Sequence, residues 1–122
     1  MTGVGTDIVD VQRLAASLRR QGAFAETVFT GEERRFCEAQ PHPERHYAAR
    51  FAAKEAFLKA LGLGVFSGVA LHEIEVVREA SGRPRLRLGP SAAAALRAVG
   101  GDDALVSLSH DGDMALAFVV VP

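Results

Sequence analysis

One cysteine, Cys37, stands in 122 residues. A lone thiol excludes an intrachain disulfide framework and agrees with a reducing cytoplasm; on a helix it reads as a small, half-buried hydrophobe. Charge is also scarce. Only 24% of residues are charged and the net charge is −1, so there is no global basic field for a nucleic acid, and any anion site must be local. No apolar run approaches the roughly 18 residues of a membrane span, and residues 1–7 lack the basic region and apolar core of a signal peptide. Internal repeats, low-complexity tracts and shifts of composition are missing as well. These absences predict a soluble, cytoplasmic protein with no nucleic-acid or membrane partner, folded as one domain over residues 1–122.

Apolar material, by contrast, is plentiful. Hydrophobic residues make up 48% before the 12 glycines are counted, and mean hydropathy is +0.11. A small domain has much surface for its volume, so part of this surplus is expected to cover a subunit interface. The expectation is a homo-oligomer.

The stretch from Arg50 to Leu61 organises the rest of the chain. Alanine, leucine, lysine, glutamate and arginine favour a helix, and no glycine or proline interrupts them. At 100° per residue, Ala53, Phe57, Ala60 and Leu61 form one apolar arc, and Phe51 with Leu58 a second. Glu55 and Lys59 share a narrow polar stripe between apolar or small neighbours. A carboxylate there needs a partner: the lysine, another cationic side chain or a metal ion. A plain i,i+4 pair would contribute roughly 0.2–0.5 kcal/mol.

Around this helix the chain alternates between short strands and helices. Val4–Val9 reads as a strand, with Asp7 an unusual occupant. Asp10 is placed to cap a helix running to Arg20, on which Arg13, Ser17 and Arg20 share a stripe. A linker with two aromatics leads to Thr30, whose spacing to Glu33 is that of a capping box before a short helix ending near Gln40. The central helix is expected from near Glu44 to Gly62, where Gly62 and Gly64 supply capping geometry. Leu71–Val77 and Arg83–Leu88 alternate as strands, with arginine on one face of the second. An alanine-rich helix from Ser91 to about Val99 precedes two strands that flank Asp111-Gly112, a hairpin signal. His42 and His46 read as exposed or capping residues, with no metal-ligand set nearby. The predicted order is β-α-α-α-β-β-α-β-β, an α+β fold of antiparallel strands packed with a long central helix.

Three polar features stand where a purely structural sequence would place apolar ones: Asp7, Glu55, and Ser109-His110-Asp111 at the last hairpin. Two carboxylates without a Cys/His set suit a hard cation that keeps water and phosphate ligands, magnesium rather than zinc. Lys59 and His110 would bring positive charge to a diphosphate. Asp111 is either a turn residue before Gly112 or a carboxylate that orients His110.

Gly3-Val-Gly-Thr-Asp-Ile-Val-Asp-Val-Gln-Arg13 resembles the opening motif of the holo-[acyl-carrier-protein] synthases, the short type of 4′-phosphopantetheinyl transferase. Arg50-Phe-Ala-Ala-Lys-Glu-Ala-Phe-Leu-Lys-Ala60 resembles their second motif, and Val-Ser-Leu-Ser-His110 their third. The order and separations agree across the whole chain. The resemblance implies transfer of 4′-phosphopantetheine from coenzyme A to a serine of an acyl carrier protein, with magnesium as cofactor, in fatty-acid synthesis. It places Asp7 and Glu55 at magnesium, with Glu55 also a candidate for activating the serine. It places Lys59 at the coenzyme phosphates, and Ser109 with His110 near the diphosphate. Arg50 and Lys54 match basic positions beside the site, and Gly62 and Gly64 a loop that lets the nucleotide approach. Arg13 and Arg20 match positions that meet the carrier. It further implies a homotrimer with active sites between protomers. Ala23 and Thr27 stand where some members carry arginine, so weaker steering and looser choice among carriers are expected.

Overall fold

A computed structural model describes residues 3–64 and 66–122; Met1, Thr2 and Val65 lie outside the described residues. Strand β1 (Gly3–Asp10) is followed by helices α1 (Val11–Arg20), α2 (Phe24–Val28), α3 (Gly31–Glu38) and α4 (Pro43–Ala60). Then come a 3-10 turn (Leu71–Glu73), strands β2 (Ile74–Arg78) and β3 (Pro84–Leu88), helix α5 (Pro90–Ala98), and strands β4 (Leu105–Asp111) and β5 (Met114–Val121). The α+β class and the long central helix agree with the sequence reading. Three details differ. The aromatic linker is helical as α2, a fourth helix before β2. The strand expected from Leu71 begins only at Ile74, because Leu71–Glu73 form the 3-10 turn. The last hairpin turns one residue later than Asp111-Gly112: Asp111 still pairs with Met114, leaving Gly112-Asp113 as the loop. Gly112 supplies the positive φ of 57° that the first loop position requires.

Two antiparallel sheets result, a three-stranded one in the order β1-β5-β4 and the hairpin β2-β3. Helix α4 crosses the inner face of the larger sheet. Ala53, Ala56, Phe57, Ala60, Val119 and Val121 form the main core there. A second cluster joins Val11, Leu14, Phe29, Cys37 and Tyr47 under the helical half. A fully buried side chain such as Phe57 stabilises by about 1.5–3 kcal/mol.

The sequence alternation in β1 is reproduced, but with the bulky apolar face outward. Gly3 and Gly5 are buried against the helix, while Val4 and Ile8 are 60% and 58% exposed. The reason is space: a Cβ on Gly5 would overlap the Ala56 carbonyl oxygen and stand 2.5 Å from the Ala60 nitrogen. Strand and helix touch backbone to backbone. Outside, Val4, Ile8, Leu105, Met114, Leu116 and Phe118 give the sheet an exposed apolar surface.

Local signals act as expected. The Asp10 side chain accepts from the Arg13 N–H at 3.0 Å and caps α1. Thr30 and Glu33 close the capping box of α3. Beyond Leu61, Gly62 with φ 74° lets the Leu63 N–H reach the Leu58 carbonyl at 2.8 Å, ending α4 in a Schellman turn.

Candidate active site

The close approach at Gly5 carries the next inward residue of β1, Asp7, to the side of α4. Lys59 Nζ donates to Asp7 Oδ1 and to the Thr6 carbonyl, both at 3.0 Å. Glu55, one helical turn earlier, opens with Asp7 into a cavity of about 320 Å³ also lined by Arg13, Ser17, Phe24 and Phe51. Burial raises the pKa of Glu55, the facing Asp7 carboxylate raises it further, and Lys59 opposes them. Among the described residues no group of three or more His, Cys, Asp or Glu gathers as a metal set. Asp7 and Glu55 are therefore the carboxylates that could hold a hard cation here, with its other ligands drawn from outside the chain.

Because the fold holds Glu55 above its ordinary pKa, the folded protein retains a proton there that the unfolded chain has lost. Ionising Glu55 thus lowers stability as pH rises through that window. A divalent cation must displace the same proton. Its affinity is expected to fall as pH is lowered toward the raised pKa, and the Glu55→Gln variant should lose this dependence; manganese titrations at two pH values read both.

A second cavity, about 370 Å³, is lined by Arg45, His46, Arg50, Arg78, Ser109 and His110 among others. Arg50 is buried, its guanidinium 4.3 Å from the centre of the Phe36 ring. Its Nε, shut off from solvent, finds no hydrogen-bond partner among the described residues. Burial, then the charges of Arg50 and Arg78, push the His46 pKa down. Sequence reasoning read His46 as an exposed or capping residue and passed over Arg45 and Arg78. The spacing of His46 and Arg50, four residues apart on one face of α4, is the signal that would have found the first.

The two cavities flank α4. Asp7 lies on β1 and His110 on β4, the two outer strands of the sheet, with β5 between them. One chain brings together Asp7, Glu55, Lys59 and Arg13; it brings together Arg50, Ser109 and His110 elsewhere. Asp111 does not join His110: strand alternation points their side chains to opposite faces, and no hydrogen bond links them among the described residues. Arg20 is exposed at the end of α1. Among the described residues, nothing lies within 4 Å of a Cβ placed on Gly62 or Gly64.

Lys54 departs from its expected place among the coenzyme-binding residues. Its ammonium is fully buried and donates to Glu33 Oε1 at 2.8 Å, the Leu71 carbonyl at 3.1 Å and the Ile74 carbonyl at 2.8 Å. Three donors meet three protein acceptors, so none is left for a ligand. Burial lowers its pKa and the Glu33 charge opposes this.

The family model described as the 4′-phosphopantetheinyl transferase superfamily matches residues 3–119. The chain belongs to this superfamily. Among phosphopantetheinyl transferase relatives, the holo-[acyl-carrier-protein] synthase of Geobacter metallireducens is 45% identical, over 98% of this chain and 95% of its own length. The crystal structure of holo-[acyl-carrier-protein] synthase from Neisseria meningitidis superposes with a TM-score of 0.87 at 36% identity, covering 98% of this chain and 97% of that one. An ACPS–CoA complex from Chronobacterium ammoniagenes gives 0.84 at 35%, covering 99% and 96%. The transferase match thus spans both cavities and all three motifs.

Proposed function

We propose that this transferase is a holo-[acyl-carrier-protein] synthase, moving 4′-phosphopantetheine from coenzyme A to a serine hydroxyl of an apo acyl carrier protein and releasing adenosine 3′,5′-bisphosphate. The observation that carries the reading is the convergence of Asp7 and Glu55 on one open cavity at the foot of α1, with Lys59 paired to Asp7 beside it. A purely binding module has no need of that set. Relatives named for this activity, and a structural neighbour described as a coenzyme A complex, support it.

Asp7 and Glu55 would hold magnesium. The mutual repulsion that helps raise the Glu55 pKa is what a divalent cation relieves, so the residues fit the ion. When bound, magnesium supplies charge stabilisation to a diphosphate as its bridging bond breaks. The remaining work falls to the chain. The Lys59 side chain is 53% exposed on a flexible stem, free to leave Asp7 and meet the coenzyme phosphates. The serine oxygen forms the new bond to the β-phosphorus and adenosine 3′,5′-bisphosphate departs with the old bridging oxygen. Glu55 is the candidate acceptor of the serine proton. Arg13 at the cavity and Arg20 farther along α1 would meet an acidic carrier, placing its serine beside Glu55.

His110 with Ser109, and the buried Arg50, would serve the phosphates from the other cavity, and Gly62 with Gly64 would let the nucleotide lie near the backbone. Within one chain these groups are separated from Asp7 by the width of the sheet. A second copy presenting its β4 edge to the β1 edge of the first would complete the site, and the exposed apolar outer face of the sheet is the surface for that contact. The assembly proposed is a cytoplasmic homotrimer with active sites between protomers.

Mass spectrometry of apo carriers incubated with the protein, coenzyme A and magnesium tests the reading. Gain of one phosphopantetheine arm is expected, on fatty-acid and polyketide carriers alike, since Ala23 and Thr27 leave α2 and its cap less basic. Coenzyme A binding without that gain would reduce the protein to a binding module, and modification of a single carrier type would remove the broad choice. Asp111→Asn is expected to hold turnover within about twofold, as an exposed substitution away from the reacting groups does; a tenfold fall with folding intact would give Asp111 a catalytic part.

A further inference from the structure

Helix α4 is held against β1 by the close approach of Gly5 to the Ala56 and Ala60 backbone, and elsewhere much of its apolar surface is small. Six of its 18 residues are alanine, and buried positions run round its circumference, from Tyr47 and Ala48 through Ala52, Ala53, Ala56, Phe57 and Leu58 to Ala60. Small apolar groups resist a slight turn of the helix less firmly than bulky ones such as Phe57 and Leu58 do. Hydrogen bonds, unlike apolar contacts, have direction. On the buried part of α4, Tyr47 donates to Glu38 at 2.8 Å near the start of the helix, and the buried polar group beside Glu55 is Lys54.

Its partners come from two other elements. Glu33 belongs to α3, and the Leu71 and Ile74 carbonyls belong to the segment that enters β2. Glu33 is itself held rigidly: Oε1 accepts from the Thr30 N–H and Oε2 from the Val76 N–H, both at 3.0 Å, and the residue is 1% exposed. The ammonium is thereby fixed in three dimensions by backbone and by a carboxylate that cannot move. Glu55 is the next residue along, about 100° round the helix. Once Lys54 is locked, the direction and height of Glu55, and of Lys59 one turn later, follow.

We propose that Lys54 is a positioning residue: its lock with Glu33, Leu71 and Ile74 sets the rotation of α4 so that Glu55 faces Asp7 at the separation a divalent cation requires. This rests on the reading of Asp7 and Glu55 as the cation pair. It assigns the lysine beside the acidic ligand an action through the helix, not through the ligand. The rival role is stability alone, and a buried ion pair is weak ground for that, because apolar replacement of such pairs is often neutral or stabilising.

The test measures manganese binding to the whole protein by equilibrium dialysis, without coenzyme or carrier, well below the melting temperature. Glu33→Gln/Lys54→Met removes the lock while keeping a cap acceptor at position 33. It is expected to keep its helical signal yet bind manganese about tenfold more weakly, as loss of a supporting shell does. Glu33→Gln alone, which keeps size and the two carbonyl contacts, is expected to show a smaller loss in the same direction. Asp7→Asn and Glu55→Gln serve as controls. If neither weakens manganese binding, the cation-pair reading itself fails. If both weaken it while the folded lock variants bind like the parent, the positioning role is overturned. Collapse of the fold in both lock variants overturns it too, in favour of a purely structural pair.

Discussion

Glu55→Gln should lower turnover by about a thousandfold while leaving the melting temperature unchanged or slightly raised. The two effects have one cause. Glutamine keeps the shape of the side chain but removes the charge that, with Asp7, would hold the cation, and a carboxylate ligand to a metal that neutralises a breaking diphosphate is worth several kcal/mol. In the free protein the same charge is disfavoured: burial and the Asp7 carboxylate both raise its pKa, with only Lys59 opposing. A neutral isostere relieves that repulsion. Function and stability therefore pull in opposite directions at this position, as they do where a site is held in a strained state for its ligand. Steady-state transfer assays and thermal melts on one preparation read both. A variant that lost activity and stability together would point to a structural carboxylate instead.

Gly5→Ala should be as damaging by a different route. The added methyl group would meet the carbonyl oxygen of Ala56 and the nitrogen of Ala60, both helix backbone. Neither can turn aside as a side chain can. Strand β1 must move away from α4, breaking contacts along the main core. Overpacking costs about 1–3 kcal/mol where side chains can adjust, and a rigid backbone neighbour places this variant at about 3 kcal/mol or beyond. In a chain of this length that corresponds to a melting temperature lower by about 10 °C. Activity should fall more than stability, since the displaced strand carries Asp7 away from Glu55 and Lys59. A Gly5→Ala protein with a parental melting temperature would show that β1 and α4 are less closely packed than described.

Gly5 also marks where the sequence stopped being legible. A glycine in a strand signals a bulge or a close backbone approach, but nothing in the sequence says which helix comes near. The alternation of β1 could be read, yet its orientation could not. Val4, Thr6 and Ile8 share one face of the strand, and that this face turns outward follows from Ala56 and Ala60 lying against Gly5 on the other. Signals confined to one turn of chain were readable, as with the Asp10 cap, the Thr30–Glu33 capping box and the glycine at the end of α4. Signals that depend on distant partners were not. Lys54 beside Glu55 looks like one more surface cation, because its acceptors are 17 to 21 residues away in the chain. Arg83, Arg85 and Arg87 look alike on their strand, yet Arg87 is bound at 2.7 Å to both Glu75 and Glu32. The cavity around His110 was half legible, since Arg50 and His110 were identified and Arg45, His46 and Arg78 were not.

The proposed site draws Asp7 and His110 from the two outer strands of one sheet, so two copies must complete it. Mixing settles this directly. Asp7→Ala and His110→Ala proteins, each inactive alone, are dissociated, combined in equal amounts and allowed to reassemble. If each site takes Asp7 from one protomer and His110 from its neighbour, random exchange restores about a quarter of the parental activity. Mixed assemblies that form and stay inactive would contradict the account.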